Sequence, residues 1–285
     1  MSDAAAPTYS IITTCKGRLD NLKVSLPRFV AQRDAEVIVV DYDCPQGTAA
    51  FVRREYPSVK VVEVAESPLF NMPDARNRGA AEAAGQMLVF IDADIIVADD
   101  FLERTRFPAG TKAVANFPPG KSNSLRGSCI VRREDFNAVG GYDDLLTGYE
   151  SEDLDLYMRL RLLGARTVHL ALESVDSIIE QTPEERLRYR PPVDLKRQFL
   201  RGQLYQGAKE AVMRMSGAVQ LNPEMRQRLM AQVDRQLDGV FTGEKGFELT
   251  VNLPDRYKRG MLDDWEFSAA VTVRAHKKKA AKQPT

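Results

Sequence analysis

The fold of this chain is decided by the stretch Met87-Leu88-Val89-Phe90-Ile91-Asp92-Ala93-Asp94, in which an apolar run leads directly into two carboxylates. A short, continuous apolar run of this kind is typical of a parallel strand that is covered on both faces. Residues two apart in an extended segment project to the same side, so we expect Asp92 and Asp94 to converge at the carboxyl end of that strand. Ligands of open α/β sheets bind at this end.

The acidic pair has two interpretations. Two carboxylates placed so close repel one another, and a bound divalent cation would relieve the repulsion. Oxygen ligands select a hard ion, Mg²⁺ or Mn²⁺, which would also bind phosphate oxygens. The alternative is a plain turn from strand to loop in which both acids are solvated.

Short β-branched runs alternate with segments of helical length across the first 170 residues. The predicted strands are Tyr9–Thr14, Glu36–Tyr42, Val59–Val64 and Met87–Ile91. The predicted helices between them are Leu19–Gln32, Gly47–Tyr56 and Asp74–Gly85. This alternation predicts right-handed βαβ units and a Rossmann-like α/β fold with a mostly parallel sheet.

The pattern changes after about residue 180, so we predict three regions: an α/β domain over residues 1–180, a helical extension over 181–240, and a hairpin with a basic tail over 241–285. Helix starts are indicated at Thr182-Pro183 and Asn222-Pro223, where a capping side chain precedes proline. Phe247–Leu253 and Glu266–Val273 alternate in polarity and are predicted to pair as a hairpin. The tail, residues 277–282, is expected to be solvated, with contact to an anionic membrane surface as the alternative.

The composition excludes some classes of protein. Forty basic and forty acidic side chains cancel, so the chain lacks the broad basic face that binding to nucleic acid demands. No apolar run approaches the roughly 18 residues of a membrane span, and Met1–Pro7 lacks the features of a signal peptide. The cysteines Cys15, Cys44 and Cys129 are odd in number and follow no metal-binding pattern. We therefore expect reduced thiols and a cytoplasmic protein.

A second acidic cluster lies in Gly148–Tyr157 and opens a predicted helix. Ser151 is the expected cap, which places Glu152 and Asp153 in the first turn, where the helix dipole favours the ionised form. We therefore expect the pKa of Asp153 to be low, and its carboxylate to accept a proton from an attacking hydroxyl. The alternative is that these acids only stabilise the start of the helix.

Taken in order, the motifs resemble GT-A glycosyltransferases of the inverting family-two kind, and the second half is similar to the galactosyltransferase and chondroitin-polymerase pattern. The resemblance covers about residues 8–180. It is carried by the following segments: Ser10–Arg18, Val39–Pro45, Ala75-Arg76-Asn77-Arg78-Gly79, Asp92-Ala93-Asp94, Gly127–Arg133, Val139–Asp143 and the E-D segment from Gly148 to Leu160.

The resemblance implies a role for each matching residue. Asp153 would be the catalytic base and Glu152 a ligand of the acceptor hydroxyl. Asp94 would ligate a Mn²⁺ or Mg²⁺ ion, with Asp92 near the metal or the ribose. The implied nucleotide-binding residues are Thr13, Thr14, Arg18, Asp41, Asp43, Arg76 and Asp92.

The chain departs from the family pattern in three places. Tyr42 separates the usual adjacent acids, so either Asp41 or Asp43 would meet the base, and Lys16 replaces a common aromatic residue. The family often supplies a histidine soon after the E-D helix as a third metal ligand. Here His169 falls early, in a predicted strand, and Asp176 is nearer the expected place. Asp176, His169 or no third ligand are the open alternatives.

The predicted function is therefore metal-dependent transfer of a hexosyl or N-acetylhexosaminyl group, with inversion, from a nucleotide-sugar donor to an acceptor hydroxyl. The donor is expected to be a UDP-sugar and the acceptor a saccharide or another hydroxyl compound. A homodimer through the helical extension is compatible with the sequence. The alternative functions are a non-catalytic nucleotide-sugar-binding scaffold and a nucleotidyltransferase, although Thr13–Arg18 is not the glycine-rich loop that a nucleotidyltransferase needs.

Overall fold

The computed structural model describes residues 8–105, 111–118, 125–148, 151–190, 192, 194–253 and 269–275. The predicted basic tail lies outside the described residues, as do Tyr149 and Glu150 of the E-D segment. The chain divides into two compact units, one comprising residues 1–148 and 152–192, the other comprising residues 149–151 and 193–285. The predicted region boundaries at residues 180 and 240 stay predictions.

The first unit is built on a seven-stranded sheet with the order β3-β2-β1-β4-β7-β6-β8. Strands β3, β2, β1 and β4 run parallel to one another, β7 is antiparallel to both β4 and β6, and β6 is parallel to β8. The strands are β1 (Tyr9–Cys15), β2 (Ala35–Tyr42), β3 (Lys60–Val64), β4 (Met87–Phe90), β6 (Ala113–Asn116), β7 (Cys129–Arg132) and β8 (Arg166–His169). The predicted mostly parallel α/β sheet is confirmed.

Strand β4, which precedes the acidic pair, is covered on both faces as predicted, since every residue of it is buried. A separate antiparallel ribbon joins β5 (Ile95–Val97) to β9 (Val175–Ile178). The helices of this unit are α1 (Leu19–Val30), α2 (Thr48–Glu55), α3 (Met72–Ala81), α4 (Phe101–Arg104), α5 (Arg133–Ala138), α6 (Glu152–Leu162) and α7 (Pro183–Leu187).

Helix α1 shows how the apolar pattern positions these helices. Leu19, Leu22, Leu26 and Phe29 recur at helical spacing, and all four are buried against the sheet. Burial of each such side chain contributes about 1.5–3 kcal/mol relative to exposure. The helix therefore fixes the loop Lys16–Arg18 that precedes it at the carboxyl end of β1.

The second unit contains two long helices and a hairpin. Helices α8 (Leu195–Ser216) and α9 (Pro223–Thr242) each end at a glycine with positive φ, Gly217 and Gly243. Strands β10 (Phe247–Leu253) and β11 (Ala269–Ala275) pair antiparallel, so the predicted hairpin is confirmed over these bounds. The start predicted at Asn222 is also confirmed, since its side chain accepts a hydrogen bond from the Met225 amide.

No helix in the described part of the chain is both long and apolar enough to span a bilayer. The three cysteines are free and buried, as the sequence predicted for reduced thiols.

Candidate active site

The acidic pair after β4 lies in a turn rather than in an extended segment, because the Ile95 amide donates to the Asp92 carbonyl at 3.1 Å. The two carboxylates still come close enough to interact. Burial, followed by the charge of Asp92, raises the pKa of Asp94 to about 6. Arg18 Nη1 lies 3.0 Å from Asp94 Oδ2, and Gln181 Nε2 lies 3.1 Å from the same oxygen.

Arg76 connects this pair to the second acidic cluster. Its guanidinium is 2.8 Å from Asp92 Oδ1 and 4.0 Å from Glu152 Oε1, although only 1% of the residue is exposed. Burial opposes the charge, but Tyr142, Asp92 and Glu152 hold the pKa of Arg76 above its ordinary range. The side chain therefore acts as a permanent cation between two motifs that lie far apart in the sequence.

A capping residue, a proline and a glycine place helix α3 so that Arg76 lies beside the acidic pair. Its Asn71 cap accepts a hydrogen bond from the Asp74 amide, and Pro73 occupies the first turn. Gly79 lets the helix pack directly on the sheet, since a Cβ atom there would stand 2.5 Å from Ile12 Cγ2. The close approach sets Arg76 at the carboxyl end of β4.

The glycine turn of Val139–Asp143 is fixed from two sides. Asn77 Oδ1 accepts from the Tyr142 amide at 2.8 Å, and Asn77 Nδ2 donates to the Tyr142 carbonyl at 2.9 Å. Arg159, on α6, donates to the carbonyls of Val139 and Gly141, both at 2.6 Å. The turn in this way holds the Tyr142 ring 5.2 Å from the Arg76 guanidinium.

Glu152 and Asp153 begin α6, as predicted, but their acidity differs from the expectation. The prediction of a low pKa for Asp153 is wrong, because burial raises the pKa of Asp153. Burial and the charge of Asp153 both raise the pKa of Glu152. Loss of water outweighs the Leu154 amide at the helix start. Ser151 also differs from a capping residue, since its φ of 60° is left-handed and a cap is extended.

The loops after β1, β2 and β3 meet at the same edge of the sheet, where Lys16 joins them. Its ammonium group donates to the carbonyls of Tyr42, Asp43 and Ser67 at 3.1, 2.7 and 2.7 Å. Lys16 is only 5% exposed, so these bonds are shielded from water. The residue that departs from the family pattern is thus the one that ties these three loops together.

The two predicted base-binding acids have different environments. Asp41 is buried, and its two oxygens accept from the amides of Cys44 and Ala49, each at 2.7 Å. Asp43 is 44% exposed at its side chain and has a left-handed φ of 51°, a strained conformation that is typical of functional sites. Asp41 therefore fixes the loop, and Asp43 is the acid that remains accessible.

The remaining predicted nucleotide residues lie along the same edge. Thr13 and Thr14 are buried near the end of β1, with exposed fractions of 0% and 6%. Arg18 follows them and lines a cavity of about 370 Å³. The residues that line this cavity are Gly17, Arg18, Asp20, Asn21, Gln46, Ile179, Glu180, Gln181, Glu185 and Arg188.

The segment 179–190 closes one side of this edge. Its first residue, Ile179, donates its amide to the Asp94 carbonyl at 2.8 Å, and the Tyr189 carbonyl accepts from the Phe70 amide at 2.7 Å. Between them, Thr182 and Glu185 form a capping box at the start of α7, as the sequence predicted. The segment is therefore anchored at both ends.

The structure does not bring Asp176 to the acidic pair. Its carboxylate lies 3.5 Å from Arg28 Nη2, on the β5–β9 ribbon. His169 ends β8, three strands away from β4, which corresponds to about 14 Å at the usual strand spacing. Among the described residues, no three His, Cys, Asp or Glu side chains are grouped to hold a metal. Asp176 fails as a ligand because its strand turns it towards α1.

Sequence reasoning missed Gln181, Tyr142 as a neighbour of Arg76, and the role of Lys16. The glycine motif pointed to Tyr142, whereas no pattern marks Gln181, since its position depends on how segment 179–190 folds back. Gln181 carries one further feature: its amide oxygen is buried and has no hydrogen-bond partner in the described structure.

Comparison of the sequence with known proteins finds glycosyl transferase family 2 and one curated relative. Residues 10–116 match the family model described as glycosyl transferase family 2. Over 211 residues the chain is 24% identical to the O-antigen biosynthesis protein RfbC of Myxococcus xanthus, an alignment that covers 57% of this chain and 16% of that protein. The chain thus spans less than a fifth of the length of this curated relative.

Two solved structures resemble the chain at low identity. The mannosyltransferase PcManGT from Pyrobaculum calidifontis, in complex with GDP-Man and Mn²⁺, has a TM-score of 0.52 at 16% identity, covering 85% of this chain and 79% of that one. S. aureus TarS 1-349 in complex with UDP has a TM-score of 0.49 at 14% identity, covering 82% and 87%. The resemblance to glycosyl transferase family 2 is confirmed over residues 10–116, and the likeness to the solved mannosyltransferase confirms the predicted GT-A fold. The finer resemblance of the E-D motif stays a prediction.

Proposed function

We propose that this chain is a metal-dependent glycosyltransferase that moves a sugar from a nucleoside diphosphate sugar to an acceptor hydroxyl with inversion. One observation carries the proposal: the Arg76 guanidinium lies 2.8 Å from Asp92 and 4.0 Å from Glu152. This contact joins the proposed donor motif to the proposed acceptor motif, which are 60 residues apart in the sequence, and so supports a single site.

The donor's nucleotide would lie on the loops that Lys16 joins. Asp43 is the acid available to accept a hydrogen bond from the base, because both oxygens of Asp41 already bind backbone amides. Arg18 and Arg188 line the adjoining cavity, and their charges suit a diphosphate. Thr13 and Thr14, buried near the end of β1, would support these nucleotide loops from beneath.

Asp92 and Asp94 fit a divalent cation. The donor set is oxygen, which suits Mn²⁺ or Mg²⁺. Burial, and then the charge of Asp92, raises the pKa of Asp94, so a cation bound to both carboxylates would offset their repulsion. When bound, such an ion neutralises charge that develops on the departing diphosphate. Mn²⁺ is named for the solved mannosyltransferase, which supports its choice as the first ion to test.

Asp153 would accept the proton of the acceptor hydroxyl. The hydroxyl oxygen then forms a bond to the anomeric carbon of the donor, while the bond from that carbon to the diphosphate oxygen breaks. The raised pKa makes Asp153 a stronger base than an exposed aspartate. Glu152 is held by Arg76 at the same helix start and would orient the acceptor.

The transferred group and the nucleotide need a direct test. The motif resemblance favours a UDP-sugar and a hexosyl or N-acetylhexosaminyl group, whereas the structural neighbour contains GDP-Man. We would screen UDP- and GDP-sugars for donor hydrolysis and for transfer to saccharide acceptors, with Mn²⁺ and with EDTA. Release of the nucleoside diphosphate only with the metal is the expected result.

The competing function is a non-catalytic nucleotide-sugar-binding scaffold. It predicts nucleotide binding by calorimetry but no hydrolysis or transfer with any donor of the panel. That outcome would overturn the enzymatic proposal.

A further inference from the structure

We propose that Gln181 is the third protein ligand of the divalent ion, through its side-chain amide oxygen. The inference rests on the proposed function, because it concerns the same ion at Asp92 and Asp94. The family resemblance pointed to a histidine or to Asp176 for this role, and both lie elsewhere in the fold.

The first support is an unpaired oxygen. Gln181 Oε1 is buried and has no hydrogen-bond partner in the described structure. Buried polar oxygens are rarely left without a partner, and those that are call for an explanation such as an ion. An amide oxygen is a ligand that hard divalent cations accept readily.

The second support is position. The Gln181 amide nitrogen stands 3.1 Å from Asp94 Oδ2. The unpaired Oε1 belongs to the same amide group, so an ion that binds this oxygen would lie beside the Asp94 carboxylate while the N–H bond to Asp94 is kept.

The third support is a rigid backbone on both sides of Gln181. Two residues earlier, the Ile179 amide is bonded to the Asp94 carbonyl at 2.8 Å. One residue later, Thr182 and Glu185 form the capping box, with hydrogen bonds of 2.9 and 3.2 Å. The backbone on both sides of Gln181 is thus anchored next to Asp94, which positions its side chain as a ligand requires.

The simplest competing role is that of a donor that orients Asp94. Gln181 donates its amide N–H to Asp94 Oδ2, and such a bond could fix that carboxylate without any contact to the ion. The two roles differ in what a glutamate would do. Glutamate cannot donate to Asp94, but it supplies an oxygen ligand of higher charge.

The test measures Mn²⁺ binding to the full chain by calorimetry and by electron paramagnetic resonance, alone and with UDP or GDP, without any activity assay. We expect Gln181→Met to weaken Mn²⁺ binding by about 10-fold or more. We expect Gln181→Glu to keep or strengthen it, and to show a larger rise of Tm on addition of Mn²⁺ than the wild type. Gln236→Met, the same substitution on α9, where the side chain donates to the Glu248 carbonyl, should bind Mn²⁺ within about twofold of the wild type.

The outcomes separate the two proposals. If the wild type binds Mn²⁺ and Gln181→Met binds it equally well, Gln181 is not a ligand. If Gln181→Glu loses binding as Gln181→Met does, Gln181 only orients Asp94 and the inference is overturned. If the wild type and Asp94→Asn bind Mn²⁺ equally poorly with every nucleotide, the metal-dependent function itself fails. Circular dichroism checks the fold, and Gln181→Asn replaces Gln181→Met if the latter does not fold.

Discussion

The ring of Tyr189 packs so closely on Gly17 that a Cβ atom at position 17 would stand 2.0 Å from its Cε2 atom. Gly17 also has a left-handed φ of 68°, so the loop after β1 depends on glycine for its backbone and for its contact. Lys16 lies 5.3 Å from the centre of the same ring. Tyr189 therefore anchors segment 179–190 on the proposed nucleotide loops.

The first prediction separates the contact from the backbone strain. Gly17→Ala should lower the free energy of unfolding by about 1–3 kcal/mol more than Gly47→Ala, because Gly47 has a similar φ of 72° but no atom within 4 Å of its Cβ position. Urea unfolding measures both. In a Tyr189→Ala background, where the ring is absent, Gly17→Ala should cost little more than Gly47→Ala does. Equal losses for the two glycines would show that the ring moves aside at no cost.

The second prediction concerns the cation between the two acidic motifs. Arg76→Lys keeps the charge but cannot reach both Asp92 and Glu152, so kcat/KM for transfer should fall by about 100-fold or more. Arg78→Lys is the matched control on the same helix, since its side chain is 51% exposed and, within the described residues, forms its ion pair with Asp74. It should change activity and stability little, by about 0.5 kcal/mol at most. A mild effect at Arg76 would contradict its bridging role.

The third prediction distinguishes chemistry from support on α6. Asp153→Asn should reduce kcat by about 100- to 10,000-fold and leave the affinity for the donor within twofold, because it removes the proton acceptor. Asp155→Asn, two residues on, should act on stability instead, because Asp155 is buried and pairs with Arg159 at 2.7 Å. Steady-state kinetics, donor calorimetry and thermal unfolding of both variants check the contrast. Near-normal turnover of Asp153→Asn would remove it from the mechanism.

The parts of the fold that follow local rules could be predicted from the sequence. The strand before Asp92 is a continuous apolar run, and α7 and α9 begin at residues whose side chains cap them, so each is specified within a few neighbouring residues. The apolar run and the helix caps depend little on the rest of the chain. The prediction that Arg76 and Asp153 share one site came instead from the order of the motifs.

The predictions that were wrong or missing concern residues whose surroundings are set by contacts between distant parts of the chain. The pKa of Asp153 was expected to be low because the helix start is visible in the sequence, whereas the burial that overrides it is not. Asp176 stood at the expected distance along the chain, yet the β5–β9 pairing turns it to Arg28. Gln181 gave no signal, since its contact with Asp94 spans 87 residues.

The last prediction is the pH dependence of transfer. Burial raises the pKa of Asp153, so activity should be lost as the pH falls through a value above the ordinary 3.8. The sign for stability is opposite: between 3.8 and the raised pKa the folded protein binds more protons than the unfolded chain, so this carboxyl stabilises the fold as the pH falls. Activity and the contribution of Asp153 to stability should therefore change in opposite directions over this pH range, which thermal unfolding of the wild type and Asp153→Asn measures.

Substitution of two arginines tests whether Asp153 is the group that titrates in the acid limb of the pH profile. The charge of Arg126 lowers the pKa of Asp153, so Arg126→Gln should move the acid limb of the kcat/KM profile to higher pH. Arg133→Gln should leave the limb in place, because Arg133 binds the Ala83 carbonyl instead. Profiles of both variants, with donor and metal saturating, decide between them. If the acid limb stays fixed in Arg126→Gln, its titrating group is not Asp153, and the general base must be sought among the other carboxylates of the site.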